Sequence, residues 1–554
     1  MPFEVRKCSL QCLHLAIALW ILHVGAQTGP VPVTGRSTGF DQATGNPPPR
    51  WNINGLEKDG GPMWDLFIRG LDALQNAAEN DERSHFAIAG IHGMPYVPYN
   101  NVGPVAGSGW RGYCPHLSPQ LISWHRAYLA LYEQVLGDQV GRLASEYTGG
   151  NAAAYREASQ KFRLPFWDWA ADARLPPSTE RENITVNGPD GELVLHNPLY
   201  NYRWQTDPRN STLFPGQRDM GLATTRGGAP NLVDSNLIGA ANLIKDSVYR
   251  TFASSTTYDQ MASMSASGSS FEAPHNEIHN LVGGSFTSLD LAAFDPLFML
   301  HHSNLDRLAA LWTCIHNDTL QTSPYTSLGL YATAKGESIT ATSSLKPFYQ
   351  ADGRTFHNGE TVSEIEALGY TYPELSMMGH NQGRREAVIA QIQKLYGDPA
   401  DVGNAADAPK PRLQWLVDVR VDRVHLPLPC SIDVYLGGCL AGRTTLLSMP
   451  KTGLVYDELS LSRAVRNLGI NDSQAGTVEW TLVNGLRVGV SKRPAGGQDD
   501  GTLVDPRDIP GLTIELASEV LLPPSWESSF PPYRNRTILS TVSARAETGY
   551  SRYC

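Results

Sequence analysis

Apolar residues recur at helical spacing through most of the first 400 positions and switch to alternation near residue 413. Met63, Leu66, Phe67, Leu71 and Leu74 predict a helix over 57–80. A second, short helix is expected over 84–92, with His92 in its last turn before Gly93. A longer amphipathic helix over 124–143 and another over 155–162 follow. Residues 174–235 lack periodicity and are rich in Pro, Asn, Gly and Arg, which predicts a long surface excursion between helices. Helical spacing returns over 236–252 and again over 272–314, where Asp295 suits an N-cap and Pro296 a first helical turn. One more helix is expected over 385–396. The run G-D-P-A-D-V-G-N-A-A-D-A-P-K at 397–410 reads as a linker. Beyond it, L-Q-W-L-V-D-V-R-V-D-R-V, S-I-D-V-Y-L-G-G, V-E-W-T-L-V and L-R-V-G-V predict strands of a small β-sandwich or barrel. The plan is therefore a mainly α core over 27–380, a helix and linker over 381–411, and a smaller β-rich domain over 412–554.

Composition changes this picture at the ends. Arg6 and Lys7 precede an apolar run at 13–24 and then Gly25-Ala26-Gln27, the layout of a secretory signal peptide cleaved near Ala26. The run is short for a membrane anchor, and no later stretch suits a transmembrane helix, so a secreted chain free of the membrane is expected. The formal charge of −11, without a basic cluster, argues against a nucleic-acid partner. Sequons begin at Asn183, Asn210, Asn317, Asn471 and Asn535 and fit glycosylation on an exported chain. Without Cys8 and Cys12, five cysteines remain (Cys114, Cys314, Cys430, Cys439, Cys554), an odd number that needs an explanation.

The chemistry lies in two histidine sets. In E-A-P-H-N-E-I-H, His275 and His279 are four apart and share one helix face. His302 comes from the next helix, in F-D-P-L-F-M-L-H-H-S-N-L-D-R. Three imidazoles from two packed helices suit Cu, Zn, Fe or Ni. Upstream, His92 (A-G-I-H-G), Cys114 and His116 (Y-C-P-H), and His125 (S-W-H-R-A-Y) form the second set. Both sets resemble the paired copper signatures of the tyrosinase, catechol oxidase and hemocyanin superfamily, and those of fungal tyrosinases most closely.

That resemblance implies a four-helix-bundle core with two copper ions, one on His92, His116 and His125 and one on His275, His279 and His302, with His301 next to a ligand but not one itself. It implies a thioether from Cys114 to His116, which leaves four thiols; Cys430 with Cys439 is the preferred pair, leaving Cys314 with Cys554. Glu272 and Asn276 match residues that hold a water for the phenol proton, so substitution of Glu272 should penalise monophenols selectively. Phe298 matches a bulky residue overhanging the second copper as a substrate gate. Asp306 and Arg307 match anchors of the ligand-bearing helix, P-F-W-D-W at 165–169 a core segment, and Y-T-Y at 370–372 the motif closing the core. Copper cycles between two oxidation states, so the implied function is O2-dependent hydroxylation of monophenols and oxidation of o-diphenols to o-quinones. The β-rich domain resembles a shield that keeps such an enzyme latent until cleavage at 397–410. Two rivals share the scaffold: a zinc-dependent, non-oxidative tailoring enzyme of secondary metabolism, and an O2-binding, hemocyanin-like protein.

Overall fold

A computed structural model describes residues 29–217, 220–376, 382–398, 411–470, 475–492, 502–522, 529–542 and 553. The expected signal peptide, most of the linker and Asn471 lie outside the described residues. No described helix is long and apolar enough to cross a membrane. The other four sequon asparagines are exposed.

The helical body is built on α1 (Gly61–Gln75), α2 (Gln120–Ala144), α3 (Pro230–Ser254), α4 (Glu272–Val282), α5 (Leu297–His316) and α6 (Gln382–Tyr396). Helix α1 starts after Gly60, whose positive φ of 62° breaks the expected single helix and leaves a separate turn at Ile53–Asp59. The short helix His85–Ala89 ends before His92, which sits in the turn beyond it. Helix α2 is buried nearly all round, packing on α1 and on α5, while α3 packs on α4. At α5 the cap falls one residue later than expected. Pro296 is the N-cap, and Asp295 reaches in to accept from the Leu297 amide at 2.9 Å.

The aperiodic stretch is less of an excursion than its sequence suggests. It contains an antiparallel hairpin, β1 (Asn183–Gly188) with β2 (Gly191–His196). Tyr202, Trp204 and Phe214 from the same stretch pack on Phe294 and, through Trp204 and Phe214, on Phe86. Isolated aromatics anchor this segment without any repeating pattern to announce them.

Two four-stranded sheets follow. One has the order β8–β7–β4–β5, from β4 (Cys430–Leu436), β5 (Cys439–Leu446), β7 (Arg487–Lys492) and β8 (Leu503–Val504). The other has the order β10–β9–β3–β6, from β3 (Arg412–Asp422), β6 (Leu454–Ser460), β9 (Thr513–Leu521) and β10 (Tyr533–Thr541). Val417, Val419 and Val421 from one sheet and Ile432, Val434 and Val490 from the other share one buried cluster, so the sheets pack as a sandwich. V-E-W-T-L-V is not a strand: Ala475–Gly485 is a helix with Val478 and Leu482 buried, which satisfies a four-residue spacing as well as an alternating one.

Both preferred disulfides fail. Cys439 is disulfide-bonded, whereas Cys430 and Cys314 keep their thiols. Register explains the first failure. Cys439 sits beside the β4–β5 turn opposite Leu436, and Cys430 is at the far end of the hairpin opposite Leu446. Six strand residues separate them, a span of roughly 20 Å that a disulfide does not bridge. Cys554 lies outside the described residues.

A buried ionic cluster locks α5 in place. Asp306 accepts from Arg126 Nε at 2.7 Å, Arg50 Nη1 at 3.3 Å, and the Tyr370 and Tyr372 hydroxyls at 2.6 and 2.7 Å. Arg307 binds Asp168, Asn304, Glu374 and Tyr396. Burial alone would raise the Asp306 carboxyl, and Arg126 and Arg50 outweigh it, holding it below the usual carboxylate range. A depressed folded value stabilises the fold above the unfolded carboxylate pKa and is lost as pH falls through the folded one. Asp306→Asn should therefore cost about 3–5 kcal/mol near neutral pH, because the buried Arg126 guanidinium loses its carboxylate partner while Arg50 keeps Glu133 at 2.8 Å. It should also flatten the acid-side decline of stability. Denaturant titrations at pH 7 and at acid pH check both.

Candidate metal centre

Four elements bring the histidines together. His92 stands in the turn after Ala89, His125 in the second turn of α2, His275 and His279 on α4, and His301 and His302 on α5. His116 arrives on the loop before α2. All seven imidazoles are buried, none more than 5% exposed. Most are pinned through Nδ1. His92 Nδ1 lies 2.8 Å from the Leu289 carbonyl, His125 Nδ1 2.8 Å from that of Leu121, and His279 Nδ1 2.7 Å from that of Phe286. His275 Nδ1 lies 2.9 Å from the Asn276 amide oxygen. A carbonyl acceptor keeps the proton on Nδ1 and leaves Nε2 with a lone pair.

Those lone pairs have nowhere else to go. His92, His116 and His279 each present a buried Nε2 without a hydrogen-bond partner. His275 Nε2 and His302 Nε2 approach to 3.3 Å, a spacing that suits two donors sharing one ion. Ligand atoms of His275, His279, His301 and His302 lie within 4.8 Å of one another, as do those of His92, Cys114 and His116. His125 joins the first set at 5.7 Å from His92 and 6.1 Å from His116, ring to ring. The two sets touch: the His116 and His275 rings are 5.6 Å apart, and His125 stacks on His302 at 4.0 Å. Unpartnered, buried imidazole nitrogens in two adjoining sets are what a pair of borderline metal ions requires.

Burial keeps the donors neutral. It lowers every imidazole of both sets, His125 to about 3 and His279 to about 4, with neighbouring imidazoles adding to the effect at His92, His116, His275, His301 and His302. Neutral imidazole is the form that ligates, so the set is ready at neutral pH without first losing protons. Cys114 Sγ lies 3.3 Å from His125 Nε2, and burial pushes its thiol up, away from free thiolate reactivity.

The remaining sequence-derived residues fall around this core. Phe298 is fully buried and spans both sets, 4.2 Å from the His302 ring and 4.9 Å from that of His92, rather than overhanging the second set alone. Glu272 accepts from the Leu117 amide at 2.6 Å, the Met264 amide at 2.8 Å and the Ser263 hydroxyl at 2.9 Å. Burial still raises its carboxyl despite these donors. Asn276 donates to the Thr445 carbonyl at 3.3 Å. Glu277 turns away from the histidine face, as helical spacing predicts, and meets Thr445 and Arg443. The Asn280 amide nitrogen is buried without a partner.

Two features escaped the sequence. His301, set aside beside its neighbour, belongs to the four-histidine cluster, with both ring nitrogens unpartnered. The sandwich also sends a residue into the helical body. Leu447, just after β5, is 2% exposed and joins the hydrophobic cluster of the helical body. Arg423 holds this segment by donating to the carbonyls of Leu447 and Pro450. In exchange, Leu117, Met264 and Ala273 of the helical body enter the hydrophobic cluster of the sandwich. No period or motif marks such exchanged side chains.

Residues 82–314 match the family described as the common central domain of tyrosinase. The tyrosinase of Podospora anserina is 30% identical over 402 residues, covering 67% of this chain and 70% of that protein. Polyphenol oxidase 2 of Agaricus bisporus is 28% identical over 359 residues, covering 61% of this chain and 64% of that protein. Recombinant mushroom tyrosinase superposes with a TM-score of 0.81 at 22% identity, over 94% of this chain and 100% of that one. At that identity the likeness is one of fold.

Proposed function

The chain belongs to the tyrosinase family, and from that premise we propose that it hydroxylates monophenols and oxidises o-diphenols to o-quinones with O2. Its cofactor is a pair of copper ions, which when bound would relay electrons from the phenol to O2. The observation that carries this reading is the buried imidazole nitrogens without partners, in two sets whose rings touch. His92, His116 and His125 would hold one ion, and His275, His279 and His302 the other. The Nδ1 contacts with main-chain carbonyls would fix ring orientation and raise ligand basicity. The thioether from Cys114 to His116 would lock the one ligand that stands on a loop; the sulfur lies within 4.8 Å of a ring nitrogen of His116. Phe298 would exclude water from the space between the sets. Export through the leader at 1–26 accords with the glycosylation triplets.

Metal content tests this reading against the zinc alternative. Two coppers per chain and turnover of a catechol are expected. Stoichiometric zinc without O2 consumption would overturn it, since zinc has no redox chemistry.

The Leu447 segment supports a second element, latency. Leu447 inserts into the hydrophobic cluster of the helical body and Thr445 holds Asn276 beside His275, so the docked sandwich would restrict the approach of a phenol. Cleavage within 397–410 should raise catechol turnover by about tenfold or more, the effect of shifting a docking equilibrium by roughly 1.4 kcal/mol. Equal turnover by cut and uncut protein would count against it.

A further inference from the structure

Glu272 is the first residue of α4, one helical turn before His275, and it is only 2% exposed. Its carboxylate takes three protein donors from two other segments. Oε1 receives the amide of Leu117, the residue directly after His116, and Oε2 receives the Ser263 hydroxyl and the Met264 amide. A carboxylate offers about four lone-pair directions, and three of them are used. Three protein donors from two segments on one carboxylate make a clasp between those segments.

What the clasp joins is specific. Leu117 has a φ of +52°, a left-handed conformation that a branched, non-glycine residue adopts only when its surroundings dictate it. Two surroundings do so: the Glu272 carboxylate holds its amide, and the sandwich core buries its side chain to 3% exposure. Met264 repeats the arrangement. Its amide is held by Glu272, its side chain is 1% exposed in the same sandwich cluster, and its carbonyl accepts the Tyr456 amide of β6 at 2.8 Å. Two of the three partners of Glu272, Leu117 and Met264, are thus tied at one end to the carboxylate and at the other to the sandwich. His116 and His275, the two imidazoles nearest this junction, face each other across the two sets at 5.6 Å.

We propose that Glu272 is a positioning residue that sets His116 against His275, and that through Leu117 and Met264 it makes the spacing of the two histidine sets depend on the docked sandwich. This rests on the two-metal reading of the site. It predicts that the loop carrying His116 is held by two contacts, the Glu272 carboxylate and the burial of the Leu117 side chain, and that loss of the carboxylate loosens a metal ligand without touching substrate.

The test uses the full-length, copper-loaded chain and its Glu272→Gln and Glu272→Asp variants. Copper affinity is measured by competition with a chelator, together with the near-ultraviolet absorption that hydrogen peroxide raises in a coupled copper pair. Turnover is measured on a monophenol and on a catechol. Glutamine can accept through one oxygen only and turns an amide N–H toward the other donors. It is therefore expected to weaken copper binding about tenfold, the low end for groups that orient a metal ligand. The absorption per chain should fall in step, and both substrates should lose turnover by the same factor. Aspartate, which keeps two acceptor oxygens, should recover part of each. Unchanged copper affinity with a loss confined to the monophenol would overturn the proposal in favour of proton handling, and unchanged behaviour throughout would overturn it outright. If Glu272→Gln does not fold, Ser263→Ala removes one donor alone and should reduce the same absorption measurably; no change there would also count against the clasp. If the unmodified chain binds no copper, it is the two-metal reading that has failed. The clasp is then judged on the metal-free protein, where Glu272→Gln should still lower the melting temperature and speed proteolytic cutting next to His116.

Discussion

His275→Ala should leave one copper per chain and lower catechol turnover by more than about 100-fold, beyond the upper end seen when only a ligand's supporting group is removed. His275 is the hinge of the site. Its ring lies 4.6 Å from His279, 4.9 Å from both His301 and His302, and 5.6 Å from His116. Its Nε2 is 3.3 Å from His302 Nε2, and its Nδ1 is fixed by Asn276. Losing it removes a donor to one ion and one of the ring contacts that join the two sets, so the two ions can no longer act as a pair. The neighbouring pair on α5 supplies the control. His302 faces both sets, paired with His275 and stacked on His125, whereas His301 leans on Trp169 at 5.7 Å. His301→Ala should therefore keep two coppers. Two coppers in His275→Ala, or one in His301→Ala, would reassign the ligands. Copper content by mass spectrometry and turnover on the same preparations decide between these outcomes.

The contrast between His275 and His301 shows how far the sequence could be read. Four-residue spacing placed His275 and His279 on one helix face, and both rings point into the same space. Periodicity also marked α2, α3 and α5, because each buries a continuous face and so repeats its apolar residues. What resisted was everything held by contacts distant in sequence. His301 and His302 are adjacent on a helix and buried all round, so spacing alone cannot say which ring meets the ion. Tyr202, Trp204 and Phe214 anchor the aperiodic stretch singly, and single anchors have no period. Leu447 and Leu117 each sit in the other unit's hydrophobic cluster, and no local pattern distinguishes an apolar residue that crosses an interface from one that stays home. The carboxylate of Glu272 was legible as part of the site, but its three donors come from Leu117, Ser263 and Met264, and only the fold brings those together. The strand assigned to V-E-W-T-L-V failed for the opposite reason: six residues are too few to separate two periods.

Arg250→Met should raise the catechol turnover of the uncut chain by about tenfold or more, even though it removes a stabilising interaction. Arg250 stands near the end of α3, is 5% exposed and reaches across to the sandwich. It donates to Glu458 on β6 and to Glu519 on β9, and its guanidinium lies 4.2 Å from the centre of the Tyr533 ring. Arg536 also meets Glu458, at 2.7 Å, but is one-third exposed and belongs to the sandwich itself, so Arg250 is the cation of this group that ties it to the helical body. Methionine fills comparable volume and leaves two buried carboxylates with the part-exposed Arg536 as their shared cation, a penalty of up to about 3–5 kcal/mol. The carboxylates escape that penalty if the sandwich lifts and lets water reach them. Lifting withdraws Leu447 from the helical body and Thr445 from Asn276, which opens the histidines to a phenol. Burial would raise the Glu458 carboxyl, and Arg250 and Arg536 outweigh it and hold it below the usual range. Its contribution to docking is therefore present above the ordinary carboxylate pKa and is lost as pH falls through the depressed value. Brief acid exposure should mimic the substitution in the natural chain and add little in Arg250→Met. A variant that melts earlier yet turns over no faster would show that this ion-pair group stabilises the sandwich without governing access to the metals, and latency would then rest on the other contacts between the two units, among them the Leu447 segment and the Glu277 contacts with Thr445 and Arg443.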